Sequence, residues 1–246
     1  MYMLGVGTSP ETEILRELEG ARVLITGLSA ASGVDVARAF ADLKARLVIH
    51  TDDLSPEVTA LVALLSQSSS EIKLYTNAMS SGEATVQFAQ RAAQVFGGLD
   101  AVINIASISS AKVDALRSDA DVDDLVSSTL TPLAHLTHVT ANRMRVVFSE
   151  GMILNVLTMP EPRHGRDLAI ASLARTALAA MTRKEAEAWA DQAVRINAIA
   201  PRVMSGAPSR GASLNNEPDI AALALYLASR RGRTLSGHVF DAGGMN

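Results

Sequence analysis

The chain has 246 residues, the size of one large domain, and 48% of them are hydrophobic, enough to fill a core. Its 22 Lys and Arg against 26 Asp and Glu leave a formal net charge of −4, which excludes a nucleic-acid binder driven by a basic surface. Cysteine is absent, so disulfide scaffolds, thiolate metal sites and cysteine nucleophiles are excluded; the only tyrosines are Tyr2, Tyr75 and Tyr226.

The opening MYMLGVGTSPETEILRELEG has neither a basic start nor a long apolar stretch, so it does not read as a secretory signal. Residues 1–17 read as an arm with a short helical turn over Glu11–Leu18, ahead of a domain over 18–246. No apolar run approaches the ~18 residues of a membrane helix, and the expectation is a cytoplasmic protein with no membrane partner. Apolar, β-branched runs at Arg22–Thr26, Arg46–His50, Ile72–Tyr75, Ala101–Ile105, Met152–Leu157, Val194–Ile199 and His238–Phe240 read as strands. Between them lie helical-period segments near Gly33–Lys44, Pro56–Leu65, Gly82–Phe96, Ala120–Val147, Asp167–Gln192 and Glu217–Ser229. The serine patch Ser66–Ser70 reads as a loop within this pattern. Short unalternating apolar runs imply strands buried on both faces. Strand–helix–strand succession implies a parallel sheet covered on both sides. The expected fold is therefore α/β, one doubly wound, three-layer α/β/α domain of Rossmann type, with ligands at the carboxyl ends of the strands.

Strand 1 runs into TGLSAASG, Thr26–Gly33, a turn that would aim the next helix's amides at a pyrophosphate. A two-glycine turn is equally a plain strand-to-helix connection. Further segments carry more: LEGARVLITG, FGGLDAVINIAS, GMILNVLT, VRINAIAPRVMSG, and EPDIAALALYLASRR followed by SGHVFDAGGMN. With TGLSAASG, and in this order, they resemble the short-chain dehydrogenase/reductase family from about Leu18 to the C-terminus. The family transfers hydride to or from a nicotinamide cofactor. A Tyr hydroxyl handles the proton, a Lys lowers the Tyr pKa, a Ser polarises the substrate oxygen and an Asn anchors a relay water.

The resemblance puts the family's Ser at Thr158. Its Tyr, about thirteen residues on, falls at Ala171. The Lys falls at Arg175, in ARTALAAMTR, and the Asn at Thr129, in STLTPL. Alanine transfers no proton, and arginine holds its proton too tightly to shuttle it. The related halohydrin dehalogenases also carry Arg for Lys but keep the Tyr, so the resemblance does not extend to their chemistry. By the same resemblance the dinucleotide would contact Thr26, Gly27, Ser29, Ala31, Gly33, Thr51, Asp52, Asn77, Asn104, Ala106 and Pro201. Ala31 stands where a glycine lets backbone approach the pyrophosphate, and its Cβ narrows that approach. Thr51 stands where an acidic residue usually takes the ribose diol. Asp52 and Asp53 would repel a 2′-phosphate, which favours NAD over NADP; the alternative is that no dinucleotide binds. Arg202 replaces the Gly of the family's Pro-Gly, and only APSRGASLNN separates Gly206 from Glu217, a short lid.

Arg163, His164, Arg166, Arg175 and Arg202 map near the mouth of the site, either as an anion site or as a solvated loop. His164 is a candidate substitute acid. His135 and His138 share a helix face; without a third ligand they read as surface or interface histidines, and no metal site is expected. The alanine-rich helix Asp167–Gln192 suits close helix pairing, and the resemblance implies a homo-oligomer, dimer or tetramer, or a hetero-oligomer with an active relative. Two functions stand open: a non-catalytic or regulatory homologue with weak or no dinucleotide binding, or an active NAD(P)-dependent oxidoreductase using substitute groups on a small carbonyl or alcohol.

Overall fold

The computed structural model describes residues 16–162, 165–203 and 214–243. Seven strands form one sheet: β1 (Arg22–Thr26), β2 (Arg46–His50), β3 (Glu71–Tyr75), β4 (Ala101–Ser107), β5 (Gly151–Thr158), β6 (Val194–Pro201) and β7 (Val239–Ala242). Their order is β3-β2-β1-β4-β5-β6-β7, and every neighbouring pair is parallel. Among the described residues, seven helices connect them: α1 (Val34–Asp42), α2 (Pro56–Ser68), α3 (Gly82–Ala92), α4 (Ser110–Ala115), α5 (Asp119–Val146), α6 (Gly165–Trp189) and α7 (Glu217–Ala228). Polar caps start several of them. Ser55 accepts from the Val58 amide ahead of Pro56, and Ser118 with Asp121 forms a capping box on α5.

One sheet face packs on α1, α2 and α7, where Phe40, Leu47, Leu65, Ile220 and Ala224 share a core cluster. The other face packs on α3, α5 and α6, through residues such as Phe88, Leu136, Met144, Ile170 and Leu178. The doubly wound architecture is as the sequence implies. Some elements differ. β3 is an edge strand with no buried residue, because it has a sheet neighbour on one side alone. The last strand lies at Val239–Ala242 rather than His238–Phe240. The six-residue α4 is shorter than any helical window and gives no periodic signal. Of the expected N-terminal helical turn, residues 16–18 are helical and the remainder lies outside the described residues.

A chain of buried polar groups crosses the middle of the sheet. Thr26 Oγ1 donates to Asn104 Oδ1 at 3.2 Å, and Asn104 Nδ2 donates to Asn155 Oδ1 at 2.9 Å. The Asn155 amide meets the Thr137 hydroxyl of α5 at 3.0 Å. Thr26 pairs with Asn104 and Asn104 with Asn155 in the strand registers, so the side chains hold the same alignment as the backbone ladder. Asn155→Leu leaves the Asn104 amide donor and the Thr137 hydroxyl unpaired in the core. The expected loss is about 2–3 kcal/mol, read from the urea denaturation midpoint.

Candidate functional site

The chain order reverses between β1 and β4, and the crevice at their carboxyl ends is where doubly wound sheets hold ligands. A cleft of about 750 Å³ opens there. Its walls include Ser29, Ala31 and Gly33 of the glycine-rich turn, Ser107 at the end of β4, Thr158 at the end of β5 and Glu217 at the start of α7. The turn takes a path that only glycine allows at two points. Gly27 has φ of +75°, and a Cβ there would collide with the Ile105 carbonyl. Gly33 has φ of +86° and precedes α1 as its N-cap.

A glycine N-cap has no side chain to accept from the first amides of its helix. Glu217 does so instead. The Asp35 amide donates to Glu217 Oε1 at 3.1 Å, and the Gly33 and Val34 amides favour the charged form of the same carboxylate. Burial pushes the Glu217 carboxyl above the usual glutamate range. The three amides pull it down, and the neighbouring Asp35 charge pushes it up. A second carboxylate closes the other end of the turn: Asp53 Oδ2 accepts from the Ala30 amide at 3.0 Å, and Ala30 and Ser55 hold the Asp53 carboxyl below its ordinary range. The remaining amides bond within the fold: Leu28 to the His50 carbonyl, Ser29 and Ser32 to each other's carbonyls, and Ala31 to Ser29 Oγ. The amides of Leu28, Ser29, Ala30, Ala31, Ser32 and Asp35 therefore all have acceptors in the chain itself.

The candidate residues separate. Thr158, Ser29, Ala31 and Gly33 meet in the cleft wall. Thr26 and Asn104 lie buried in the polar chain beneath it. Thr51 is turned inward: it is 1% exposed and its hydroxyl donates to the Leu28 carbonyl at 2.6 Å, so it presents nothing to a ribose. Asp52 is exposed, 3.4 Å from His50 Nε2, and the Asn77 carbonyl accepts from the same nitrogen at 2.7 Å. Ala106, one residue before the end of β4, and Pro201, at the end of β6, lie outside the cleft lining.

Ala171 has no exposed surface and packs in an apolar cluster with Ile108, Leu157 and Leu178. Arg175 is tied down. Its guanidinium pairs with Asp241 of β7 at 2.6 Å and donates to the Pro201 carbonyl at 3.2 Å. The Thr129 hydroxyl bonds back to Leu125 of its own helix at 2.7 Å, and none of these three residues lines the cleft. Of the arginine cluster, Arg175 is committed to Asp241, Arg166 is exposed at the start of α6, the Arg202 amide bonds the Ala242 carbonyl, and Arg163 and His164 lie outside the described residues, as does most of the short lid. His138 faces Glu185 and Trp189, whereas His135 packs against Gly82 of α3. Tyr75 packs edge-on against Phe88 and Tyr226 sits on the outer part of α7; neither reaches the cleft, and Tyr2 lies outside the described residues.

Sequence reasoning missed Glu217. The detectable signal is the lack of a capping side chain at Gly33, but the acceptor comes from far along the chain. It also missed Asn155, although an Asn in the apolar strand GMILNVLT must find a polar partner.

The short chain dehydrogenase family model matches residues 21–217. The chain belongs to that family. It is 27% identical over 248 residues to a 2-dehydro-3-deoxy-D-gluconate 5-dehydrogenase of Bacillus subtilis, covering 92% of this chain and 94% of that protein. It is 28% identical to an uncharacterized oxidoreductase of Mycobacterium tuberculosis, over 90% of both chains. Among solved structures, a short-chain type dehydrogenase/reductase from Mycobacterium marinum superposes with a TM-score of 0.75 over 94% of this chain and 97% of its own, at 16% identity. The family generally binds NAD(P). The phosphate seat does not fit that group as it stands, because carboxylates of the chain, Glu217 on the Asp35 amide and Asp53 on the Ala30 amide, already occupy it.

A carboxyl raised by folding contributes stability that is present below its unfolded pKa and is lost as pH rises through the folded one. Glu217→Gln is therefore expected to unfold at a higher urea midpoint than the parent above the raised pKa, with the difference vanishing below the ordinary glutamate range. Ala171→Tyr forces a ring into a filled cluster and is expected to lose about 1–3 kcal/mol in the same assay.

Proposed function

We propose that this short-chain dehydrogenase/reductase-like protein is a non-catalytic or regulatory homologue with weak or no dinucleotide binding. The observation that carries the reading is the enclosed methyl of Ala171, where the resemblance implies the proton-transferring Tyr. A proton must pass between a side chain and the substrate oxygen, and this position offers neither an ionisable group nor access to the cleft. Arg175, in the family's Lys position, supports the same reading, because its charge is spent on Asp241 and the Pro201 carbonyl. The protein then acts through its surface, as a homo-oligomer or beside an active relative, with the alanine-rich α6 as the pairing helix.

A second reading rests on Thr158, whose hydroxyl keeps the chemical type of the family's Ser and lies in the cleft wall beside Ser107. On that reading the protein is an NAD(P)-linked oxidoreductase of a small carbonyl or alcohol, with Asp52 and Asp53 favouring NAD, and with water as the acid. The two are separated by incubating the purified protein with NADH or NADPH and a panel of small ketones, aldehydes and sugar-acid carbonyls, following absorbance at 340 nm. The expected rate equals the buffer background and is unchanged in Thr158→Val. Turnover abolished by that substitution establishes the second reading instead.

A further inference from the structure

The glycine-rich turn holds two carboxylates of the chain itself, Glu217 on the Asp35 amide and Asp53 on the Ala30 amide. Helix α1 has nine residues and a glycine N-cap with no capping side chain, so its first amides need an acceptor. The Asp35 amide finds it in Glu217 Oε1 at 3.1 Å, and the Gly33 and Val34 amides favour the charge of the same carboxylate. Glu217 also stands in the first turn of α7, so the positive ends of two helices face one carboxylate. The helices hold this geometry: α1 and α7 share one apolar cluster through Val36, Ala37, Phe40, Ile220 and Ala224. Asp53 occupies the Ala30 amide.

We propose that Glu217 is a built-in stand-in for a phosphate group: it occupies the pyrophosphate seat of the fold and excludes phosphate-bearing ligands from the cleft. The proposal deepens the reading of weak or absent dinucleotide binding and rests on it. A pyrophosphate reaching these amides must displace the carboxylate or lie beside it with like charge. The space beyond Glu217 remains open, bounded by Ser29, Ser107, Ser109, Thr158 and Asn216, so the cleft is left to ligands that carry no phosphate at this point.

Binding is measured for the full chain and for Glu217→Ala and Glu217→Gln, with three probes. NADH is followed by fluorescence; ADP-ribose, which carries the pyrophosphate without nicotinamide, and adenosine, which carries no phosphate, are followed by calorimetry. Glu217→Ala is expected to bind NADH and ADP-ribose at least about tenfold tighter than the parent. Glu217→Gln, which removes the charge and keeps the bulk, falls between, and adenosine is unchanged. Circular dichroism establishes that each variant is folded; if Glu217→Ala is not, Glu217→Gln carries the comparison through its lost charge. Equal affinity of parent and variants for NADH and ADP-ribose overturns the proposal, as does a failure of all three proteins to bind either probe at millimolar concentration. Carbonyl reduction by Glu217→Ala, seen with tighter NADH binding, supports the proposal while overturning the non-catalytic reading. Tight NADH binding by the parent that Glu217→Ala does not improve overturns the proposal and leaves the catalytic question to the turnover assay.

Discussion

The centre of the sheet is held by a polar constraint. Thr26, Asn104, Asn155 and Thr137 lie within 1% of complete burial, and each finds its partner in the next. In a low-dielectric interior an unpaired amide is costly, so the row tolerates one alignment of β1, β4, β5 and α5. That alignment sets the height at which β1 ends against β4. There Gly27 passes the Ile105 carbonyl so closely that no side chain fits, and the turn that follows inherits its direction.

From this turn the electrostatics of the cleft follow. A strand aimed into a helix through a glycine N-cap delivers unsatisfied amides to the crevice, and a fold must answer them with a ligand, water or its own acceptors. This chain answers with its own: Glu217 on α1 and Asp53 on Ala30. The same habit recurs across the sheet, where Asp241 and the Pro201 carbonyl take up the guanidinium of Arg175. At both places a charge that a cofactor could engage is neutralised within the chain. Among the described residues, the walls of the cleft that remains are rich in hydroxyls and carry the Glu217 carboxylate.

The fold was legible because its signals are local and repeat. Runs such as RVLIT and RLVIH carry no alternation, since both faces of the central strands are covered. β3 shows the limit: EIKLY is an edge strand whose exposure depends on what lies beside it. The site was legible in part. Motif resemblance drew attention to Thr158, Ala171 and Arg175, but it could not say that Thr158 lines the cleft while Ala171 is sealed in an apolar cluster. It could not give Arg175 its partner, because Asp241 lies on the last strand. Thr51 stands at the family's ribose-binding position, yet its hydroxyl points inward to the Leu28 carbonyl, a partner no motif discloses.

The sequence by itself determined the alternation of strands and helices, the two glycines of the turn, and a long helix after β5 that contains no tyrosine. These depend on residue type and on spacing within a few turns of chain. Only the tertiary structure decided which group satisfies the amides of that turn. Glu217 lies 182 residues beyond Asp35, and its carboxylate arrives there because α7 packs on α1. Hydrogen-bond satisfaction is a demand that sequence reveals and distance hides: the glycine at the N-cap shows that an acceptor is needed, and only the packing of two helices shows which one comes.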